Sequence, residues 1–421
     1  MEESDKYSSI LKEQHQKLSA VIKGLHRQLR RAYRENNGDH EVVWERHIQD
    51  LASLQDYAEA MYCLATQHWA VHPDTRIQWC RQVAVEYFIG GGIYRALEKD
   101  MKRKMRHSLS KAANQKASEE FSHTDLTKQT PEEPSTQYNE IEIKKKLEEA
   151  KQNVQVNIPV KGRVRLLDVG SCYNPFLECP EFESIGVDLS PATQSVYQCD
   201  FLKLELIPSL AHSPSSDDLD LVPLTSKLGL TPEPTASPMT QLPRASFQVV
   251  VFSLLLEYLP ASVQRWACCV KAHSLLVPHG LLLIVTPDSN SACRNAPMMK
   301  SWREALEHLG FQRWKYHKME HVHCMAFRKV RDELPEHFPE SVEKLLYIPQ
   351  DFSDACYDDD HLPASERRSH SLGVNDPKHD AELETFLLSS LRRESIDLDS
   401  DLSSGLQLAE IKSCQDQVKQ K

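Results

Sequence analysis

The 421-residue sequence lacks several marks that would assign it quickly. No apolar run approaches the roughly 18 residues that a membrane span needs. The first residues, Met1-Glu-Glu-Ser-Asp-Lys, are charged with no apolar stretch behind them, so no secretory leader is expected. The 11 cysteines include no Cys-x-x-Cys pair, which argues against a disulfide framework or a structural zinc site. Reduced thiols in the cytosol or nucleus fit better. No concentrated basic patch is present, so no nucleic-acid partner is expected. Apolar residues make up only 40%, which implies that part of the chain does not pack into a core.

What is present is uneven. From Asp351 to Lys421 there are 16 acidic against 8 basic residues, while the rest of the chain is close to neutral. Four regions are expected: a helical bundle over 1–103, a flexible linker over 104–137, an α/β domain over 138–350 and an acidic disordered tail over 351–421. Within the third, the Ser-Pro, Thr-Pro and Glu-Pro segment 208–245 reads as a disordered insertion. In the tail, Leu383, Phe386, Leu387 and Leu391 could form one or two amphipathic turns for a partner.

In the first region, apolar side chains recur at helical spacing from Leu11 to Tyr33 and again from Trp44 to Trp69. Asn36-Asn37-Gly38-Asp39 supplies the turn between them. A third helix runs through Ile77, Cys80, Ala84 and Phe88 and ends at Gly90-Gly91-Gly92. The basic cluster Lys102, Arg103, Lys104 and Arg106 reads as a solvated helix end entering the linker.

From Val164 the period changes, and short apolar runs alternate with helices, the signature of a parallel sheet with crossover helices. Strands are expected at Val164–Val169, Ser184–Val187, Ser195–Cys199, Phe247–Phe252 and Leu281–Thr286. An antiparallel edge pair is expected at Phe311–Lys318 and Val322–Lys329. Helices are expected over Ala261–Leu276 and Met298–Leu309.

In such sheets ligands sit beyond the carboxyl ends of the strands. The first strand ends Leu166-Leu167-Asp168-Val169-Gly170, and a glycine there lets backbone approach a ligand closely. The second ends at Asp188, a carboxylate suited to a ribose diol. The third ends Asp200-Phe201, an acceptor for an adenine amino group beside a ring face. The fourth ends at Ser253, a hydroxyl for the far end of the ligand. Each residue alone is better explained as a loop brace, an exposed strand end or a helix cap. Four in order at consecutive strand tips point to an adenosine-bearing ligand. The loop Gly170-Ser171-Cys172-Tyr173-Asn174-Pro175 holds one glycine only, so it lacks the Gly-x-Gly-x-x-Gly that grips a pyrophosphate. No P-loop lysine follows. An adenosine without phosphates fits, with S-adenosylmethionine the leading candidate.

Leu167-Asp168-Val169-Gly170, Gly186-Val187-Asp188-Leu189-Ser190, Cys199-Asp200-Phe201 and Leu276-Val277-Pro278-His279-Gly280-Leu281 resemble class I S-adenosylmethionine-dependent methyltransferases, as does the Leu309-Gly310-Phe311 step into an edge hairpin. The likeness covers roughly 164–330. With the helical region added, Ser171 to Phe176 and Ser253 to Pro260 resemble the SAMTOR family more narrowly. These are relatives of a yeast large-subunit rRNA adenine methyltransferase. The resemblance implies a cytosolic S-adenosylmethionine sensor acting negatively on the TOR kinase pathway through GATOR and KICSTOR complexes, with recruitment to the lysosomal surface through partners. It implies further that Gly170, Asp188, Asp200, Phe201 and Ser253 line the pocket. Arg95 is added on chemical grounds, as a guanidinium from the helical region that could clamp a methionine carboxylate.

No catalytic residue is assigned. The Asn/Asp-Pro-Pro-Tyr that positions an adenine acceptor is replaced by Ser253-Leu254-Leu255-Leu256-Glu257-Tyr258. An active methyltransferase, with rRNA adenine as a candidate acceptor, is the alternative, and a nicotinamide-dependent oxidoreductase is the weakest reading. His317, His321, His323 and Cys324 lie close together, but zinc binding is not expected of an edge hairpin. Cys172, Cys179 and Cys199 have no neighbouring base in sequence that would make one a nucleophile.

Overall fold

A computed structural model describes residues 2–70, 75–120, 144–146, 148–149, 151–152, 163–209, 224–230, 237–288 and 292–352. The tail motif Leu383 to Leu391 lies outside these residues, as do most of the tail and part of the linker. Asp351 and Phe352, counted with the tail in the sequence reading, belong to the folded body.

The strands are β1 (Val164–Val169), β2 (Phe182–Asp188), β3 (Val196–Gln198), β4 (Glu205–Ile207), β5 (Gln241–Pro243), β6 (Phe247–Ser253), β7 (Leu276–Pro287), β8 (Phe311–Lys318) and β9 (Val322–Lys329). Seven form one sheet in the order β3-β2-β1-β6-β7-β9-β8. Pairing is parallel from β3 to β7, and β9 runs antiparallel between β7 and β8. This is the α/β sheet of a class I methyltransferase, as the resemblance implied. The order reverses at β1, which has β2 on one side and β6 on the other.

The central strands read as continuous apolar runs because both faces are covered. Along β6, Val249 and Val251 pack to one face, and Val250 and Phe252 to the other, all with no exposed surface. Each such side chain contributes about 1.5–3 kcal/mol of burial.

Five N-terminal helices supply much of that cover: α1 (Glu2–Glu35), α2 (His40–Gln49), α3 (Leu51–Cys63, continued by a π-helical turn Leu64–Trp69), α4 (Arg76–Phe88) and α5 (Gly92–Glu120). They divide between the two faces of the sheet. Leu25 and Leu29 of α1 and Val43 and Trp44 of α2 join one core, with Leu167, Val250 and Phe252. Trp79, Val83 and Tyr87 of α4 and Ile93 and Leu97 of α5 join the other, with Leu166, Val249 and Val251. Helix α6 (Ser262–Leu275) and α7 (Ala292–His308) complete the first face.

Local signals explain most differences from the sequence reading. The single helix expected from Trp44 to Trp69 breaks at Asp50, whose carboxylate caps α3 by accepting from the Ser53 N–H and hydroxyl. Asp39 and Thr75 cap α2 and α4 in the same way. The glycine triplet ends α4, but Gly92 already opens α5. That helix runs to Glu120, so residues 104–120 of the expected linker are helical, and the basic cluster lies within a helix rather than at its end. Part of the 208–245 insertion is ordered. Leu224–Lys227 forms a helical turn, with Leu224 buried, and β5 pairs in parallel with β4 through Leu206 and Leu242.

Polar seams bind the helices to the sheet. Arg328 of β9 pairs with Asp100 of α5, and Arg81 of α4 grips Glu181 through two bonds of 3.1 and 2.6 Å. On the other face, Arg30 of α1 donates to the carbonyls of His26 (3.0 Å) and Glu257. No helix among the described residues is long and apolar enough to cross a membrane.

Candidate functional site

A cavity open to solvent lies at the carboxyl ends of β1, β2, β3 and β6, where the strand order reverses. Gly170, Asp188, Asp200, Phe201 and Ser253, expected from sequence to share a pocket, all line it.

The floor is built by unusual backbone. Gly170 has φ +73°, and a Cβ added there would stand 3.0 Å from Leu255 Cδ1. Cys172, Asn174 and Leu254 also adopt positive φ, at 57°, 54° and 63°. For a leucine that conformation is costly, and its clustering around one cavity is typical of a binding site held by its surroundings. Gly186 fits beneath the same loop: a Cβ there would meet Ser171 Oγ at 2.7 Å. Ser171 in turn donates to Asp168 Oδ2 (2.7 Å) and accepts from the Asn174 N–H (3.1 Å). Asp168 is thus buried under the loop as a brace, and burial pushes its carboxyl up to about 7.

Asp188 stands at the cavity wall. It accepts from the backbone N–H of Cys172 (2.9 Å) and of Ser190 (2.8 Å), which fix both oxygens. Burial raises its carboxyl to about 6, against the pull of those donors. Asp200 accepts from the Leu202 N–H on Oδ1 (3.0 Å) and from the Trp44 indole on Oδ2 (3.0 Å). Phe201 sits edge-on to Phe252.

The roof comes from helices that the sequence pattern marks only as core: Trp44 of α2 and Leu54, Tyr57, Ala58 and Met61 of α3. An aromatic cluster joins roof to floor. Tyr258, in the turn after β6, packs edge-on to Tyr57 (4.9 Å between centroids) and Trp44 (6.0 Å), and its hydroxyl bonds His47. Burial pushes the His47 imidazole down to about 4, so it is neutral at physiological pH.

Arg95 is not in the cavity. Its guanidinium bonds the Gly90 carbonyl (2.7 Å) and faces Glu86 (3.6 Å), at the helix junction where it starts. The arginine beside the site is Arg76, in the first turn of α4, which does not line the cavity but bonds a residue that does. Its Nε donates to Ser253 Oγ (3.0 Å), and its guanidinium lies over the Trp69 ring at 4.6 Å. No motif marks Arg76 in the sequence; its one signal is its place just after the Thr75 cap. The strand tips and Arg76 together offer carboxylates for hydroxyl and amino donors, an aromatic face, and a cation beside a hydroxyl.

The hairpin histidines His321 and His323 have different surroundings. His323 is buried, with Nδ1 bonded to the Tyr316 hydroxyl (2.9 Å), whereas His321 is exposed in the hairpin turn beside Glu320. Among the described residues, no three His, Cys, Asp or Glu side chains gather as metal ligands.

Comparison with known proteins gives close relatives. A Danio rerio protein named "S-adenosylmethionine sensor upstream of mTORC1" is 44% identical over 356 residues, covering 83% of this chain and 79% of that one. Proteins of the same name from Xenopus laevis and Xenopus tropicalis are 40% and 41% identical. The alignments cover 85% and 81% of this chain, and 80% and 76% of theirs. No family model matches. Solved structures resemble it only loosely. A Burkholderia thailandensis 1,6-didemethyltoxoflavin-N1-methyltransferase is 13% identical with a TM-score of 0.25, over 50% of this chain and 98% of that one. The fold assignment therefore rests on the strand order.

Proposed function

The chain belongs to the family of S-adenosylmethionine sensors upstream of mTORC1, and from that premise we propose that it binds S-adenosylmethionine in this cavity and reports its occupancy to the TOR kinase pathway. The observation that carries the reading is the meeting of Gly170, Asp188, Asp200, Phe201 and Ser253 in one cavity at the switch point. In this reading Phe201 flanks the adenine and Asp200 accepts from its amino group. Asp188 accepts from the ribose diol, and the amino-acid end runs past Gly170 toward Ser253. There Arg76, in place of Arg95, meets the methionine carboxylate.

The ligand would touch both halves of the molecule, since the floor is sheet and the roof is α2 and α3. Binding that holds two parts together differs in affinity between their arrangements, which turns occupancy into a conformational signal. A hundredfold coupling to a partner needs only about 2.7 kcal/mol. The partners in this reading are the GATOR and KICSTOR complexes, and the chain acts as a negative regulator. It works in the cytosol and reaches the lysosomal surface through those partners. Methyl transfer gains no support from the residues after β6. Leu254 and Leu255 line the cavity, while Glu257 is buried with its carbonyl held by Arg30.

Isothermal titration of S-adenosylmethionine into wild type and Asp188→Ala tests the reading. Micromolar wild-type binding, weakened about a hundredfold in the variant, is expected from the loss of about two charged hydrogen bonds. No binding by the wild type, or equal binding by a folded Asp188→Ala, would overturn it. Capture of GATOR or KICSTOR components with and without ligand tests the partner step; capture that ignores the ligand would refute it.

A further inference from the structure

Asp200 already has a donor where the proposed ligand would bring one. The Trp44 indole N–H sits 3.0 Å from Oδ2, and Oδ1 is committed to the Leu202 N–H of its own turn. Trp44 and Asp200 both line the cavity, and Trp44 is nearly buried. An adenine amino group and an indole N–H are alike in what they offer, a neutral N–H on the edge of a flat ring. The indole holds one of the acceptor positions of Oδ2, so a purine amino group brought to that oxygen competes with it.

We propose that Trp44 is an internal stand-in for the adenine amino group, displaced from Asp200 when the ligand's base enters, so that α2 registers the occupied state. This rests on the reading of the cavity as an S-adenosylmethionine site. The displaced ring is not isolated. Trp44 packs on His47 (5.5 Å) and Tyr258 (6.0 Å), and Tyr258 packs in turn on Tyr57 of α3 and His26 of α1. Beside the indole, Glu45 of α2 pairs with Lys203, three residues past Asp200, at 2.5 Å. That pair is half-exposed and adds little of its own. The Trp44–Asp200 bond is a part-buried polar tie between α2 and the third strand tip. Exchanging it for a bond to the ligand trades a contact within the protein for one with the base, and leaves α2 to find a new seat.

The test uses the full chain labelled with 15N, with the Trp44 indole resonance assigned from the signal missing in Trp44→Phe. Saturating S-adenosylmethionine should shift that resonance and speed its exchange with solvent. The analogue with hypoxanthine in place of adenine carries a 6-oxo acceptor instead of an amino donor, and should leave the Trp44–Asp200 bond in place. Trp44→Phe keeps a ring but no donor, so it should bind S-adenosylmethionine about five- to tenfold more tightly by calorimetry, by removing one competing hydrogen bond. An unmoved indole signal at calorimetrically verified saturation would overturn the role of Trp44 and leave the site reading intact. So would equal or weaker binding by a Trp44→Phe chain that melts at the wild-type temperature. Absence of any wild-type binding would overturn the site reading and this inference with it.

Discussion

Arg76 and Ser253 lie 177 residues apart, and the Arg76 Nε–H donates to the Ser253 hydroxyl across 3.0 Å. One residue opens the first turn of α4, and the other ends β6. The Trp69 ring covers the guanidinium, and Ser253 lines the cavity. Arg76 does not itself line the cavity, but a guanidinium bonded to a residue that does suits a carboxylate contact there better than a lysine would.

Arg76→Ala should therefore weaken S-adenosylmethionine binding by about ten- to a hundredfold, the loss of one charged hydrogen-bonded contact. The same variant should bind methylthioadenosine, which has the adenosine but no amino acid, as well as wild type does. Calorimetry with both ligands decides it. Equal losses for the two would mean that Arg76 holds the fold and not the carboxylate.

Ligand affinity should also depend on pH through Asp188. Its ribose-binding form is the carboxylate, and burial has raised that carboxyl to about 6. Affinity should be flat near pH 8 and fall as pH drops through 6, approaching tenfold per unit as protonation removes the acceptor. Asp168, also raised, to about 7, is bonded to Ser171 under the loop and does not line the cavity. Asp188→Asn should abolish the step near 6 and bind weakly throughout. A wild-type profile level from pH 5 to 8 would contradict the assignment.

The sheet was legible in advance because continuous apolar runs bounded by turns leave few alternatives. Both members of the edge hairpin, Phe311–Lys318 and Val322–Lys329, fall where the spacing puts them. Strand tips were legible for the same reason: once β1, β2, β3 and β6 are placed, Gly170, Asp188, Asp200 and Ser253 have one place to go. The roof was not. Trp44, Tyr57, Ala58 and Met61 follow a helical stripe, and a stripe says which face is covered without saying whether a core or a cavity lies beneath it. Arg95 has the chemistry of a carboxylate clamp but stands just after the glycines. Those same glycines expose the Gly90 carbonyl, which takes its guanidinium. The β4–β5 pair leaves little trace in the sequence because its strands are three residues each and one lies within the Pro-rich segment.

Glu257 predicts a stability that falls with rising pH. It is buried, neither carboxylate oxygen accepts from another residue among those described, and burial pushes its carboxyl up to about 8. Between the ordinary glutamate value and 8 the folded chain holds a proton that the unfolded chain releases. Rising pH across that window therefore favours unfolding. Glu257→Gln cannot ionise. It should match wild type near pH 5 and exceed it by on the order of 2 kcal/mol at pH 9. Denaturant unfolding at the two pH values checks this, and a difference that does not change with pH would rule it out.

Asp351 closes the folded body by drawing two buried arginines together. Arg265 of α6 donates to its Oδ2, and Arg30 of α1 lies 3.9 Å from its Oδ1. Arg265 is fully buried and also donates to the carbonyls of Leu346 (2.7 Å) and Leu259 (2.8 Å). Removing the carboxylate leaves those hydrogen bonds but strands positive charge where water cannot reach it, a loss of about 3–5 kcal/mol when a buried pair is broken. Asp351→Ala should destabilise the chain by about 3 kcal/mol on that scale. Asp351→Asn, which keeps an acceptor but not the charge, should cost less. Because both arginines are buried, 1 M salt should not erase the difference, whereas it would for an exposed pair. Asp351→Ala unfolding within about 0.5 kcal/mol of wild type, the usual range for a surface change, would mean that the two arginines are held by carbonyls alone.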